Sequence, residues 1–298
     1  MKIPHLGNGS VGAPITRGGI SVFPVYLGES NLPPISTGPT AGLIIDEVPG
    51  GEVPHLVVTN PTDRAILIVE GEQLVGGLQN RSPNVSVLVP AGERLEIPVS
   101  CLEHGRWGRH DSFRRGATHT PRRVRRAKSH EVAKTMATSG VRSGNQGAVW
   151  NAVNQELRYM AVASGTDAIA DADVVFERDP DRYSAVEELA SMGPLPGQYG
   201  IVISHGHRVV GAEVFGAPDL LAAHWEALIR SGFLELPTAE GRPSATSALK
   251  LLRRFSAAEA TRSPGIGLGT EHHVATDQVS GQALILGDTV VHAGIFVR

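Results

Sequence analysis

The sequence has few of the features that would place it in a specialised class of protein. It contains one cysteine, Cys101, so an internal disulfide and a cysteine-rich zinc site are both excluded, and a reducing cytoplasm is predicted. No apolar run approaches the roughly eighteen residues that a membrane-spanning helix needs, and the N-terminus lacks the apolar core of a signal peptide. We therefore expect a soluble cytoplasmic protein that has no membrane contact.

The composition of the 298 residues is that of an ordinary globular protein, with 41% apolar and 19% charged side chains. Its net charge of -3 is unevenly distributed, because the segment from Arg106 to Lys128 holds nine basic residues and one acidic residue. This pattern favours a local anionic partner over general binding of nucleic acid. We predict a β-rich part over 1–105, a basic connecting segment over 106–145, and an α+β part over 146–298 that packs on the first as one domain.

Short strands separated by turn signals dominate the first hundred residues. The pattern predicts strands at 20–27, 43–47, 55–59, 65–69, 85–89 and 94–99. Pro24 marks the first of these as an edge strand or as the site of a bulge. The fold class is therefore α+β, with an antiparallel β-sandwich or barrel-like N-terminal half. A strand, glycine, strand rhythm also resembles cupin-like jelly rolls, but the histidine pair that their metal site needs is absent.

The second half alternates helices with two hairpins. Apolar periodicity predicts helices at 146–163, 182–191, 218–229 and 244–260, and hairpins at 199–215 and 282–297. The two hairpins have similar sequences, which indicates either an internal repeat or the pattern common to short-turn hairpins. The basic segment before these elements is predicted to lie on the surface, with a helix from Pro121.

The stretch from Glu70 to Trp107 holds the highest density of polar side chains that suit chemistry. Glu70 and Glu72 lie on one face of a strand if the strand continues through them, which suits a metal or an acid and base pair. If the strand ends at Val69, Gly71 makes their spacing flexible and a solvated loop is the alternative. We take both glutamates as the candidate catalytic residues.

Two groups flanking the next hairpin are candidate ligand-binding residues. Gln79, Asn80 and Arg81 follow a Gly-Gly turn and offer donors to a phosphate, a carboxylate or a ribose, and a guanidinium grips such an anion with two bonds. Glu103, Arg106 and Trp107 follow the next strand, where arginine and tryptophan suit a base or a sugar. The alternative for both groups is a structural network that orders the turns.

Other reactive residues form no recognisable signature. Cys101 precedes His104 by three residues, so an activated thiolate and a packed core cysteine are both open. His205, His207, His272 and His273 show no spacing typical of a metal site, and we predict none. The sequence does not identify a cofactor.

Five segments resemble the ARPP family, the ARG and rhodanese-phosphatase-superfamily-associated proteins, in which ARG stands for ADP-ribosylglycohydrolase. They are E-G-E-Q-L-V-G-G-L-Q-N-R from Glu70, N-V-S-V-L-V-P from Asn84, I-P-V-S-C-L-E-H-G-R-W from Ile97, N-Q-G-A-V-W from Asn145, and V-V-G-A-E-V-F-G-A-P-D-L-L-A-A-H-W from Val209. The resemblance covers about residues 20–231 and extends to the C-terminal hairpin. The arginine-rich segment and the glycine- and proline-rich N-terminus depart from the family pattern and are interpreted as local additions.

The family name implies a context of NAD or ADP-ribose metabolism, and it implies no catalytic residues. The leading hypothesis is that the protein binds an ADP-ribose-like or other phosphorylated nucleotide. Enzymatic processing of that nucleotide is the second part of this hypothesis. The alternative is a non-enzymatic module whose basic segment, between Arg114 and Lys128, docks RNA or an acidic protein.

Overall fold

A computed structural model describes residues 3–4, 6–106, 108 and 112–298. The described strands are β1 (Ser10–Val11), β2 (Ile15–Arg17), β3 (Ile20–Tyr26), β4 (Ile35–Thr37), β5 (Ile44–Glu47), β6 (His55–Thr59), β7 (Ala65–Ile68), β8 (Leu74–Val75), β9 (Arg81–Pro83), β10 (Val87–Val89), β11 (Arg94–Cys101), β12 (Arg114–Arg115), β13 (Gly200–His205), β14 (Arg208–Phe215), β15 (Thr261–Pro264), β16 (Thr270–Ala275), β17 (Val279–Leu286) and β18 (Thr289–Val297). The described α-helices are α1 (Arg122–Ser139), α2 (Gln146–Tyr159), α3 (Val174–Arg178), α4 (Pro180–Met192), α5 (Pro218–Leu234) and α6 (Ala245–Ala257). None of these helices combines the length and the apolar character that crossing a membrane requires.

A nine-stranded antiparallel sheet joins the two ends of the chain. Its strand order is β1-β3-β13-β14-β18-β17-β16-β15, and β2 also pairs with β3. The pairing of β3 with β13 places Val22 opposite Ile203, so strands from 1–105 and from 146–298 share one sheet. The two predicted hairpins are β13–β14 and β17–β18, and they lie side by side because β14 pairs with β18. Both hairpins carry a register shift near the turn.

Both faces of this sheet are buried, and successive residues of a strand point to opposite faces. In β3, Val22 packs in the core beneath α2, α4 and α5, whereas Phe23 packs in the core beneath α6. Ile201 and Val202 of β13 divide between the same two cores. The sheet is therefore the central layer of the molecule, with helices on each side.

Two smaller sheets complete the N-terminal half, in the orders β10-β7-β4 and β12-β8-β9-β11-β6-β5. All their pairings are antiparallel except that of β4 with β7. Val58, Ile68, Val87 and Ile97 form their core, which Val132 of α1 closes. The α+β prediction, with antiparallel sheets and a mostly β N-terminal half, is confirmed.

Local sequence signals explain several helix ends. Asp179 accepts a hydrogen bond from the Arg182 amide at 3.0 Å and so caps α4, which begins with Pro180. Gly140 follows the last residue of helix α1 and caps it. Its φ of +71° is the left-handed conformation that glycine adopts at little cost. Helix α5 continues past Gly232 to Leu234, so the predicted end at 229 is too early.

Two predictions about exposed elements need correction. Strand β3 pairs with β13 on one side and with β1 and β2 on the other, so the edge-strand alternative is wrong. Pro24 lies at an irregular point, where the pairing of β3 passes from Val22, a partner of β2, to Val25, a partner of β1. The basic segment is not simply a surface segment, because α1 packs along β16 and β17 and buries the side chains of Arg125 and Lys128.

Candidate functional site

Glu70 lies in a turn, because β7 ends at Ile68, and its side chain is fully buried. Its Oε2 accepts a hydrogen bond from Arg125 Nη2 at 2.9 Å, and its Oε1 lies 3.0 Å from Lys128 Nζ. Burial alone would raise the pKa of Glu70, but the two cations hold that pKa below its usual value. Glu70 is therefore a buried counter-ion.

The contacts of Glu70 continue into the centre of the large sheet. Arg125 Nη1 lies 2.6 Å from Glu213 Oε1, and His292 Nε2 lies 2.9 Å from Glu213 Oε2. Ser86 Oγ lies 2.9 Å from His292 Nδ1 and accepts the Glu70 amide at 2.9 Å, which closes the ring. We call this set the ion network: Glu70, Ser86, Arg125, Lys128, Glu213 and His292. Two carboxylates balance two cations in it, as a stable buried network requires.

Glu72 lies on the other side of the turn, with different partners from those of Glu70. It pairs with Arg115 of β12, and its Oε1 accepts the Val69 amide at 2.6 Å. A cavity of about 160 Å³ adjoins the pair and is also lined by His119 and His224. We call it the histidine cavity. The structure thus separates the two predicted catalytic glutamates.

Asn80, Glu103 and Arg106 hold two turns against each other. Arg106 Nη2 lies 2.7 Å from Glu103 Oε2, and Arg106 Nη1 donates to the Gly77 carbonyl at 2.9 Å. Glu103 also accepts the Asn80 amide at 3.1 Å and the Thr166 hydroxyl at 2.7 Å. Burial would raise the pKa of Glu103, but these donors lower it. The two groups of predicted ligand-binding residues meet here, and their polar atoms bond to each other. Trp107 lies outside the described residues.

Arg81 is fully buried beside this contact. Its Nη1 donates to Gln79 Oε1 at 3.3 Å, whereas its Nε and Nη2 have no hydrogen-bond partner within the described part of the chain. Cys101 of β11 lies opposite Arg81 of β9 in the sheet, and burial raises the pKa of the Cys101 thiol to about 11. A thiol with this pKa is not a nucleophile at neutral pH, so a packed core cysteine is favoured.

Two larger cavities lie elsewhere, and one of them collects side chains suited to acid and base chemistry. It has a volume of about 510 Å³ and lies between the C-terminal end of α2 and the N-terminal end of α4. We call it the arginine cavity, and it is lined among others by Arg123, Glu156, Tyr159, Arg178, Arg182 and Glu235.

Two buried carboxylates share one arginine at the wall of the arginine cavity. Arg123 Nη1 donates to Glu156 Oε1 at 3.2 Å, and Arg123 Nε lies 3.6 Å from Glu235 Oε2. Glu235 also accepts Arg122 Nη2 at 2.5 Å and the Arg123 amide at 3.2 Å, so it caps α1. Glu156 has fewer donors, and burial, then the nearby Glu235, raises its pKa to about 7. A carboxyl group with this pKa can donate or accept a proton at neutral pH.

A second cavity of about 510 Å³ lies over β11 and the α1–α2 loop. Three of its polar residues are already bonded: Ser100 Oγ donates to Asn84 Oδ1 at 2.7 Å, and Gln146 bonds the Cys101 backbone at 2.7 and 2.9 Å. Arg142 at its edge is held by Glu271 at 2.9 Å. Glu96 is the one acidic residue among the described residues that line this cavity, so the cavity lacks the buried carboxyl pair of the arginine cavity.

A family model, the ARG and Rhodanese-Phosphatase-superfamily-associated Protein domain, ARPP-1, matches residues 8–296. The chain belongs to the ARPP-1 family. Comparisons with curated proteins and with solved structures found no significant match.

The ARPP-1 match extends well beyond residues 20–231 and includes the arginine-rich segment. Arg125 of that segment joins Glu70 and Glu213 from two of the resembling segments, so this part of the segment belongs to the core of this chain. The interpretation of the segment as an addition to the family pattern stays a prediction.

Sequence reasoning missed the key residues of the arginine cavity. Glu156 looks like part of the polar face of α2, and Arg123 looks like one of many basic residues. Glu235 follows a helix in a stretch without a recognisable motif. Nothing local distinguishes these residues, because their burial depends on contacts between distant parts of the ARPP-1 chain. Among the residues described, no group of three or more suits a metal ion.

Proposed function

We propose that this ARPP-1 domain is a cytoplasmic protein that binds an ADP-ribose-like phosphorylated nucleotide in the arginine cavity and cleaves its glycosidic bond. One observation carries the proposal. A buried glutamic acid whose pKa is about 7 lies beside a second buried carboxylate in a cavity that also presents three arginines. The cavity volume of about 510 Å³ falls within the range of small-molecule sites, roughly 300–1,000 Å³.

The binding groups lie around the rim of the arginine cavity. Arg178 is exposed and donates to the Ala161 carbonyl at 2.9 Å, with no carboxylate within salt-bridge distance in the described residues. Tyr159 is 67% exposed, and Arg123 lies over its ring at 4.7 Å. Arg178 would therefore hold phosphate, while Tyr159 would stack on the base.

The two carboxylates supply the elements of glycoside hydrolysis. In such a reaction one carboxylic acid protonates the leaving group as the glycosidic bond breaks, and a second carboxylate stabilises the oxocarbenium-like sugar. Glu156 suits the first role because it holds a proton near neutral pH, and Glu235 suits the second. A water molecule then adds to the anomeric carbon and loses a proton, which restores Glu156.

The residues predicted from sequence take a supporting part in this proposal. Glu70 belongs to the ion network that anchors α1, and α1 presents Arg123 to the cavity. Glu103 and Arg106 hold two turns against each other. The alternative of docking RNA or an acidic protein has less support, since Arg115, Arg122, Arg123, Arg125 and Lys128 each pair with a carboxylate.

Calorimetry with ADP-ribose tests the binding half of the proposal. Arg178→Ala should weaken binding at least tenfold, because it removes the exposed cation at the rim. Arg253→Ala, which removes an exposed arginine on α6, is the matched control and should bind like the wild type. An absence of heat with both ADP-ribose and NAD, or equal affinity for all three proteins, would overturn the proposal.

Product analysis tests the processing half. Glu156→Gln keeps the shape of the side chain and removes its acidic proton, so it should reduce the rate of glycosidic-bond hydrolysis at least a hundredfold with ADP-ribose affinity unchanged. Hydrolysis by Glu156→Gln at the wild-type rate would exclude Glu156 as the acid.

A further inference from the structure

A chain of hydrogen bonds connects β7 to the histidine cavity through two buried histidines. The Thr37 hydroxyl donates to the Leu67 carbonyl at 2.8 Å and lies 2.8 Å from His224 Nε2. His224 Nδ1 lies 3.2 Å from His119 Nε2. His119 Nδ1 is buried and has no partner among the described residues. The chain therefore ends on an unused nitrogen in a residue that lines the cavity.

The direction of this chain determines which nitrogen of each ring carries the proton. Thr37 uses its one hydroxyl proton on the Leu67 carbonyl, so its oxygen must accept from His224 Nε2. Burial lowers the pKa of His224 to about 4 and that of His119 well below its usual value, so both rings are neutral. His224 Nδ1 is then an acceptor, His119 Nε2 is the donor, and His119 Nδ1 holds a free lone pair.

The same cavity contains an unused donor. Arg115 pairs with Glu72 through Nη1, and its Nη2 is buried with no hydrogen-bond partner in the described part of the structure. An acceptor on His119 and a donor on Arg115 are thus both unsatisfied beside one cavity, and leaving buried polar groups unpaired is costly.

We infer that the histidine cavity is a binding site for a small neutral ligand with adjacent donor and acceptor groups, of which a primary carboxamide is the simplest. Its N–H group donates to His119 Nδ1, and its carbonyl accepts from Arg115 Nη2. The site is separate from the arginine cavity, shares no lining residue with it, and does not depend on the proposed function.

Charge and access support a neutral ligand. The charged side chains that line the cavity are Glu72, Arg115 and Glu226, so a carboxylate would meet a lining that carries one excess negative charge. The cavity volume of about 160 Å³ suits a ligand of one ring. Glu226 and Ala223 of α5 are exposed, which gives access from solvent.

Phe215 stacks on His224 with 5.4 Å between ring centroids and an interplanar angle of 13°. This contact fixes the orientation of the His224 ring in the chain of hydrogen bonds from Thr37 to His119.

Ligand-observed NMR with three matched probes tests the inference. Benzamide offers a donor and an acceptor, N,N-dimethylbenzamide offers the acceptor alone, and benzoate carries a negative charge. Benzamide should bind to the wild-type protein at least tenfold more tightly than either of the others. Equal or weaker binding of benzamide would overturn the inference.

Thr37→Val tests the role of the chain of hydrogen bonds with little change in the shape of the side chain. Valine cannot accept from His224 Nε2, so the proton moves to Nδ1 and both tautomers reverse, which leaves His119 Nδ1 as a donor. The preference should then shift toward N,N-dimethylbenzamide, and Thr138→Val, at an exposed hydroxyl on α1, should behave like the wild type.

Imidazole ¹⁵N chemical shifts provide a readout that does not depend on binding. They should show His119 Nδ1 unprotonated in the wild type and protonated in Thr37→Val. A protonated Nδ1 in the wild type, or an unchanged preference in the folded Thr37→Val variant, would overturn the inference.

Discussion

The guanidinium of Arg125 lies directly against the backbone of Gly71, so that a Cβ atom at position 71 would lie 2.1 Å from Arg125 Nε. Gly71 also has a φ of +95°, which other residues rarely adopt. The turn between the two predicted catalytic glutamates is therefore shaped to admit the central cation of the ion network. This contact explains why Glu70 and Glu72 face different partners.

Gly71→Ala should destabilise the protein by about 2–5 kcal/mol, the sum of the left-handed backbone cost and the cost of overpacking. Urea unfolding of this variant and of Gly50→Ala separates the two contributions. Gly50 has a φ of +97° and no described atom within 4 Å of its added Cβ, so it reports the backbone cost alone. Equal losses in the two variants would show that the Arg125 contact is not tight.

Glu70→Gln should lower the free energy of unfolding by about 3–5 kcal/mol, because it leaves Lys128 buried without its carboxylate. Lys128→Met should cost less, since Glu70 keeps Arg125. The double variant removes both members of the pair and should cost less than the sum of the single losses, by about 0.5–3 kcal/mol. Strict additivity in urea unfolding would mean that the two side chains do not interact.

Local signals in the sequence were sufficient to predict most strands and helices, but they did not predict the residues of the arginine cavity. Strand β6 has its predicted bounds because alternation and turn residues mark it within a few positions. Strand β16 was missed because it holds Glu271, His272 and His273 in buried positions. Glu271 is stabilised there by Arg142, which is distant in the chain and which no local pattern connects to it.

The predicted site shows the same limit. The sequence brought Glu70 and Glu72 together because they are two positions apart, but the turn at Gly71 sends them to separate networks. Asn80, Glu103 and Arg106, which are predicted ligand-binding residues, lie together because the flanking strands β9 and β11 pair. Whether these residues bind a ligand stays a prediction, and their present partners are one another.

Cys101 should react slowly with thiol reagents in the native protein. With a pKa of about 11, about one thiol in a thousand is ionised at pH 8, and the side chain is fully buried. Labelling with Ellman's reagent in buffer and in urea checks this expectation. Reaction should be complete in urea and should follow the unfolding rate in buffer, whereas rapid labelling of the folded protein would contradict the buried, protonated state.

Glu156 should make the stability of the protein fall as the pH rises. Its pKa in the folded protein is about 7, above the ordinary value of 4.5, so the folded state binds its proton more tightly than the unfolded state does. The resulting stabilisation is fully present below pH 4.5 and is lost as the pH rises through 7. The pKa difference corresponds to about 3 kcal/mol, at roughly 1.4 kcal/mol for each unit.

Glu156→Gln cannot ionise, so it should gain about 3 kcal/mol of stability relative to the wild type between pH 4.5 and pH 8. Urea unfolding at several pH values measures this difference, and using the difference cancels the contributions of other titrating groups. Glu259→Gln removes an exposed carboxylate and should show no such trend. A constant difference between Glu156→Gln and the wild type across this range would mean that Glu156 is already ionised at low pH. It would then lack the proton that the proposed glycosidic cleavage requires.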